Sequence, residues 1–173
     1  QCQKAFKPGE LISDNTRQVQ DIIQLCEREH MPGFIVFADQ DNAYPRVNWE
    51  YMFAVMETMN IHADYINMVR TMYNEVKLHF KVNSTIDKES ITPKNGIHQG
   101  CPLSPCLYLL CIQGFISLVR CDTKNKDGIK GIPVPNAQGE YDEEETTELV
   151  SAFADDLCMF MQDENELPKF KRL

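Results

Sequence analysis

The sequence predicts an α+β fold, a small antiparallel sheet carrying Asp39, Asp155 and Asp156 with helices packed on its other face, and three observations carry that expectation. Two apolar runs of strand composition, Leu149-Val150-Ser151-Ala152 and Leu157-Cys158-Met159-Phe160-Met161, flank a short polar break and read as a hairpin. A third run, Phe34-Ile35-Val36-Phe37-Ala38, has the continuous apolar character of a buried strand. Elsewhere apolar residues recur at helical spacing, with polar residues filling the other faces.

The chain has 173 residues, of which 43% are hydrophobic, enough for one domain with a buried core. No apolar run approaches the roughly 18 to 20 residues that span a bilayer, and Gln1-Cys2-Gln3-Lys4 is no signal sequence. A soluble intracellular protein, nuclear or cytoplasmic and without a membrane partner, is therefore expected. Seven cysteines without a Cys-x-x-Cys pair argue against a disulfide framework and a zinc knuckle. Cys101, Cys106 and Cys111 are spaced by five, which does not keep one helix face, and read as buried small apolar residues. A net charge of -9 disfavours a nucleic-acid partner at first sight. Six of the negatives, however, are Glu140, Asp142, Glu143, Glu144, Glu145 and Glu148, expected to form a solvated loop; removing them leaves -3.

Taken in order, residues 1–13 lack periodicity, and Lys7-Pro8-Gly9 marks a turn. From Asp14 or Asn15 as N-cap, Val19, Ile22, Ile23 and Cys26 predict a helix to about Glu29. Met31-Pro32-Gly33 ends it, and the 34–38 strand then delivers Asp39 where a buried strand emerges. Asn48 can cap a helix carrying Trp49, Met52, Phe53, Met56 and Met59, ending near Asn60; helical spacing makes its methionine stripe core. Ala63 to Tyr73 predicts another helix through Ile66, Val69 and Met72 or Tyr73. Over residues 75–83 the period changes to two, Val76, Leu78, Phe80 and Val82 alternating with Lys77, His79 and Lys81. A half-exposed strand is expected there, turning at Asn83-Ser84-Thr85 into a second strand that reaches Ile91. His79 falls on the polar face and needs no function.

Residues 95–105 form a loop dense in turn formers that opens an apolar helix from about Cys106 to Val119. Gly100 lets a backbone or base approach closely, and Pro105 suits a first helical turn. A Gly-, Pro- and acid-rich connection follows, with a short strand expected within 129–134. Asp163-Glu164-Asn165-Glu166 has capping-box spacing and predicts one more helix start.

Phe153-Ala154-Asp155-Asp156 lies at the tip of the first hairpin. Adjacent carboxylates there repel each other and resist desolvation, and a divalent cation would relieve both costs. An exposed Asp-Asp turn is the other reading of this stretch alone. With Asp39 at a strand end and Gln99-Gly100 opening a helix, three motifs stand in order along the chain. Phe37-Ala38-Asp39 through Ala43-Tyr44-Pro45-Arg46-Val47-Asn48-Trp49, Gly96-Ile97-His98-Gln99-Gly100-Cys101-Pro102-Leu103-Ser104-Pro105 and Phe153-Ala154-Asp155-Asp156 resemble the three palm motifs of reverse transcriptases. The Gly-x-x-Gln-Gly-Cys-Pro-Leu-Ser-Pro form is most similar to non-LTR (LINE-type) retrotransposon enzymes, and the opening Gln1 to Asn15, with Phe6, Gly9 and Asp14, to the fingers segment preceding them.

The resemblance implies residues 1–33 as part of the fingers and 34–173 as a palm truncated before the thumb. It implies an RNA-directed DNA polymerase in which Asp39 and Asp155 bind two Mg2+ ions, with Mn2+ as a substitute, Asp156 assists and the carbonyl of Gln40 contributes. Tyr44 would block a ribose 2′-hydroxyl, Gln99 and Gly100 would line the nucleotide and template pocket, and Phe153 would pack beside the primer terminus. The implied partners are an RNA template, a DNA primer, dNTP and the rest of a parent polyprotein, with a thumb and an endonuclease. Two departures are visible. Asn42-Ala43-Tyr44-Pro45 replaces the family's Lys-Ala-Phe-Asp, and Glu10 replaces a basic residue after Pro-Gly. The resemblance also places the later palm elements, primer grip and thumb beyond residue 173, so weak binding of template and primer by this chain alone is expected. A degenerate or domesticated palm, binding nucleic acid without catalysis, is the alternative.

Overall fold

The computed structural model describes residues 9, 11–122, 128–136, 139–141 and 147–170. The chain divides into two compact units, one formed by residues 1–41 and 112–173 and the other by residues 42–111. The expected fingers residues 1–8 and most of the acidic stretch, residues 142–146, lie outside the described residues.

In the first unit, helix α1 spans Ile12–Arg28 and strand β1 spans Phe34–Ala38. The N-cap of α1 lies three residues before Asp14, the earlier of the two caps the sequence offers. Leu11 is the N-cap and has no capping side chain; Asp14, three residues on, accepts a hydrogen bond from the Leu11 N–H at 2.9 Å. The hairpin is strand β6, Val150–Phe153, followed by β7, Asp156–Met161. Strands β1, β7 and β6 form one antiparallel sheet in that order, so β7 is its centre and β1 an edge. The centre explains the unbroken apolar run of β7, whose residues from Leu157 to Met161 are all buried. The edge corrects the expectation of a fully buried 34–38 strand: Phe34 and Phe37 are exposed, Phe37 by 73%. Residues paired across strands share a face, which places Ile35, Phe37, Cys158 and Phe160 together. Ile22 of α1 packs with Cys158, Phe160 and Ile132, and Val19, Cys26 and Ile35 border that cluster.

The short strand expected within 129–134 is β4, Ile132–Pro133, paired with β5, Thr147–Glu148. A Cβ on Gly131 would stand 2.5 Å from the Glu148 carbonyl oxygen, so a glycine is needed for that approach. Beyond β7, a 3-10 turn over Glu164–Glu166 leads into helix α5, Leu167–Phe170. Asp163 caps it by accepting from the Asn165 N–H at 2.9 Å. The reciprocal half of the expected capping box is absent among the described residues. Glu166 is buried and instead accepts from the Lys130 N–H at 2.9 Å, with Lys169 Nζ at 3.8 Å.

In the second unit, helix α2 spans Trp49–Thr58 and helix α3 spans Ala63–Tyr73. Asn48 caps α2 through the Tyr51 N–H at 2.9 Å, and Met52 and Met56 are fully buried, as a core stripe requires. Among the described residues, strands β2, Leu78–Val82, and β3, Thr85–Ile91, pair only with each other. Asn83 and Ser84 both have positive φ, as a two-residue hairpin turn demands. Every residue of both strands is exposed, which corrects the half-exposed expectation, since nothing among the described residues covers the apolar face.

Helix α4, Ser104–Asp122, runs through the division between the units. It has 19 residues with a mean hydropathy of 1.4, sufficient by length and composition to cross a membrane. This corrects the expectation that no stretch is long and apolar enough; Gln113, Gly114 and Arg120 interrupt it without lowering the average below that level. Leu107, Tyr108 and Cys111 are buried in its first half, and Ile112, Ile116 and Val119 in its second. The evenly spaced cysteines differ from expectation. Only Cys111 is buried, whereas Cys101 is half-buried and Cys106 exposed.

Candidate nucleotidyl-transfer site

The β1–β7 register pairs Ala38 with Leu157, so the next residues outward, Asp39 and Asp156, stand across from each other. Within the hairpin Asp156 pairs with Phe153. Alternation then sets Phe37, Asp39, Ser151, Phe153, Asp156 and Cys158 on the face that meets α1. A cavity of about 420 Å³ follows from this arrangement, with Asp39, Phe153 and Asp156 on the sheet side and Asn15, Thr16 and Val19 on the helix side. Ser151 anchors the two layers by donating from Oγ to Gln18 Oε1 at 2.9 Å. Asp155 sits in the turn itself, half-buried, after Ala154, whose φ is +55°. A left-handed alanine costs about 1 kcal/mol or more, and such strain at a hairpin tip is a common companion of functional turns.

Asp39 and Asp156 are exposed, and none of the three carboxylates has a cationic partner among the described residues. Two facing carboxylates with a third beside them are an all-oxygen donor set, which suits a hard divalent ion that keeps several waters. Among the described residues no three acid, cysteine or histidine side chains are already gathered closely enough to hold a metal by themselves. The two buried cysteines are poor ligands: burial pushes the Cys111 thiol up to about 12 and the Cys158 thiol up to about 11.

The remaining predicted site residues lie in the second unit, except Gln40, which follows Asp39 and is half-buried. Here the segment after the first aspartate and the glycine-rich loop are clasped together. Ile97 donates its N–H to the Tyr44 carbonyl at 2.9 Å, and Gly96 donates to the Val47 carbonyl at 2.8 Å. The Trp49 indole N–H closes the clasp on the Gly96 carbonyl at 2.7 Å. The half-buried Tyr44 ring meets Tyr108 edge to face, with centroids 5.1 Å apart. Gln99 and Gly100 occupy an exposed turn, and Gly100 has φ +89° with open space around its Cα. There the glycine serves the backbone conformation and leaves room beside the turn.

Sequence reasoning treated Asn15 only as a helix cap. In the structure its Oδ1 is buried without a hydrogen-bond partner among the described residues, and the side chain lines the Asp39–Asp156 cavity. The visible signal was an asparagine inside an amphipathic first turn, which capping accounts for equally well.

The face that carries Asp39 and Asp156 is thus the one that α1 meets, which corrects the expectation of helices on the face away from the aspartates. A family model described as reverse transcriptase (RNA-dependent DNA polymerase) matches residues 1–172, and the chain belongs to that family. A Xenopus laevis protein, the Transposon TX1 uncharacterized 149 kDa protein, is 27% identical over 156 residues, covering 90% of this chain and 11% of that protein, in keeping with the non-LTR retrotransposon type. Among solved structures, apo telomerase from Candida tropicalis, truncated from its C-terminal domain, superposes with a TM-score of 0.61 at 12% identity. That match covers 94% of this chain and 31% of the telomerase chain, and it supports the α+β palm fold. The chain thus spans about a tenth of the transposon protein and a third of the telomerase chain.

Proposed function

We propose that the chain is the fingers and palm portion, residues 1–33 and 34–173, of a retrotransposon RNA-directed DNA polymerase that extends a DNA primer on an RNA template. The observation that carries this reading is the β1–β7 register, which sets Asp39 opposite Asp156 at the lip of one cavity, next to the Asp155 turn. Asp39, Asp155, Asp156 and the Gln40 carbonyl hold the divalent ions. When bound, these ions activate the primer hydroxyl and neutralise charge on the departing pyrophosphate. The chain's own residues orient the reactants. Phe153 flanks the primer end on the aspartate face, and Tyr44, fixed by its Ile97 hydrogen bond and by Tyr108, excludes a ribose 2′-hydroxyl. Gln99 and Gly100 form the open turn against which base and template rest.

Primer extension by the full-length parent on an RNA template tests the reading. Chelation should stop synthesis, and Mg2+ or Mn2+ should restore it; no extension would favour the non-catalytic nucleic-acid-binding module, and metal-independent extension would remove the roles given to the aspartates. In the same assay Tyr44→Val should raise ribonucleotide incorporation by about a hundredfold, the range over which a packed wall rejects an added hydroxyl. Unchanged discrimination would remove the role given to Tyr44.

A further inference from the structure

Residues 76–98 hold four lysines, Lys77, Lys81, Lys88 and Lys94, against two acids, Asp87 and Glu89, so this stretch is +2 within a chain of -9. Most of it is the β2–β3 ribbon, exposed at every residue. None of its four lysines makes an ion pair among the described residues, although Arg28, Arg70 and Lys169 all stand within 4 Å of glutamates. Strand alternation gives the ribbon two unlike faces. Leu78, Phe80 and Val82 share one, and His79 and Lys81 share the other, with Lys77 in phase just before the strand. Across the ribbon His79 faces Ser90 and Lys81 faces Ile86, so no acid stands directly opposite either residue, and the His79 ring lies 3.1 Å from the Asp87 carbonyl oxygen.

A face with two exposed lysines, Lys77 and Lys81, that make no ion pair among the described residues, on a ribbon exposed at every residue, is poor structural material. It is suited to a polyanion, because lysine stems are flexible and their ammonium groups act as point charges toward phosphates. We propose that the Lys77–His79–Lys81 face of the β2–β3 ribbon contacts the phosphodiester backbone of a single-stranded polynucleotide. The inference rests on the proposed function only in supplying a polynucleotide for that face, and it assigns a contact whose residues are not those of the carboxylate centre. The contact reads charge and carries no sequence preference.

The test titrates the full-length parent with fluorescent oligo(U) at graded salt, with neither dNTP nor divalent ion present, so that its outcome is independent of catalysis. Each lysine that neutralises a phosphate contributes about 0.7 to the slope of log affinity against log salt for a single strand. Lys77→Gln with Lys81→Gln should therefore flatten the slope by about 1.4. Arg17→Gln with Lys130→Gln, which changes net charge equally, should leave it alone, as should Phe80→Thr on the opposite face. Equal flattening by both charge pairs would reduce the effect to overall charge and overturn the proposal. An unchanged slope in the lysine pair, a loss confined to Phe80→Thr, or no binding even at low salt would overturn it as well. Extension that fails in the parent while the lysine slope falls would remove the polymerase reading and leave this contact standing.

Discussion

Asp155→Ala in the full-length parent is expected to lower primer extension at least about a thousandfold, and Asp39→Ala to do the same. The reason is electrostatic. The in-line displacement builds charge on oxygens that only correctly held divalent ions offset, and a loss of about 4 kcal/mol of that stabilisation corresponds to about three orders of magnitude. Folding should hardly notice either change. Asp39 is exposed, Asp155 is half-buried, and neither has a cationic partner among the described residues, so the melting temperature should stay within about 0.5 kcal/mol equivalent or rise as like-charge repulsion is relieved. Activity lost together with the fold would instead assign these carboxylates a structural role. Measuring extension and thermal unfolding on the same samples separates the two.

Gly96→Ala should produce the largest change in stability. Its φ of +94° lies where an L side chain costs about 1–2 kcal/mol, and its Cβ would stand 2.8 Å from the Pro45 carbonyl oxygen and 3.1 Å from the Pro45 Cα. Those atoms are backbone, held by the Gly96–Val47 and Ile97–Tyr44 hydrogen bonds, and cannot swing aside as a side-chain end would. Opening the clasp also leaves the Trp49 indole N–H without its acceptor. Together these amount to about 3 kcal/mol or more, or a fall of about 6–12 °C for a chain of this size. Gly100→Ala is the matched control, because its φ of +89° is nearly the same while nothing lies within 4 Å of the added carbon. It should lose only the conformational part, about 1–2 kcal/mol. Equal shifts in the two variants would mean that the Pro45 contact carries no energy.

Local signals in the sequence located most of the fold. Helix α3 has the predicted bounds because both its apolar spacing and its ends are written locally, and α2 begins where Asn48 can cap it. The hairpin and β1 were legible from apolar runs bounded by turn residues and acids. What was missed depends on distant partners. Nothing local says that Glu166 will turn away from its own helix cap toward Lys130, thirty-six residues back. The exposure of Phe37 depends on β1 being an edge, and that of Phe80 on the ribbon lacking a cover, both facts of sheet order.

The candidate site divides in the same way. Asp39, Asp155 and Asp156 announce themselves as acids interrupting apolar strands. Their pairing does not, since it takes the antiparallel register to bring Asp39 opposite Asp156. Tyr44 was legible as an aromatic five positions after Asp39, but the hydrogen bond its carbonyl accepts from Ile97 was not. Asn15 was hidden because an amide that caps and an amide that lines a cavity look alike in one dimension.

The central claim is that the Asp39 strand end and the Asp155-Asp156 turn hold the same divalent ions. Iron-mediated hydroxyl-radical cleavage measures that directly, with Fe2+ in place of Mg2+ and the cut positions read by mass spectrometry. Backbone cuts are expected around both Asp39 and Asp155-Asp156, suppressed by excess Mg2+ and lost at both places in Asp39→Asn. Cuts at only one of the two segments, or cuts that persist unchanged in Asp39→Asn, would contradict the claim.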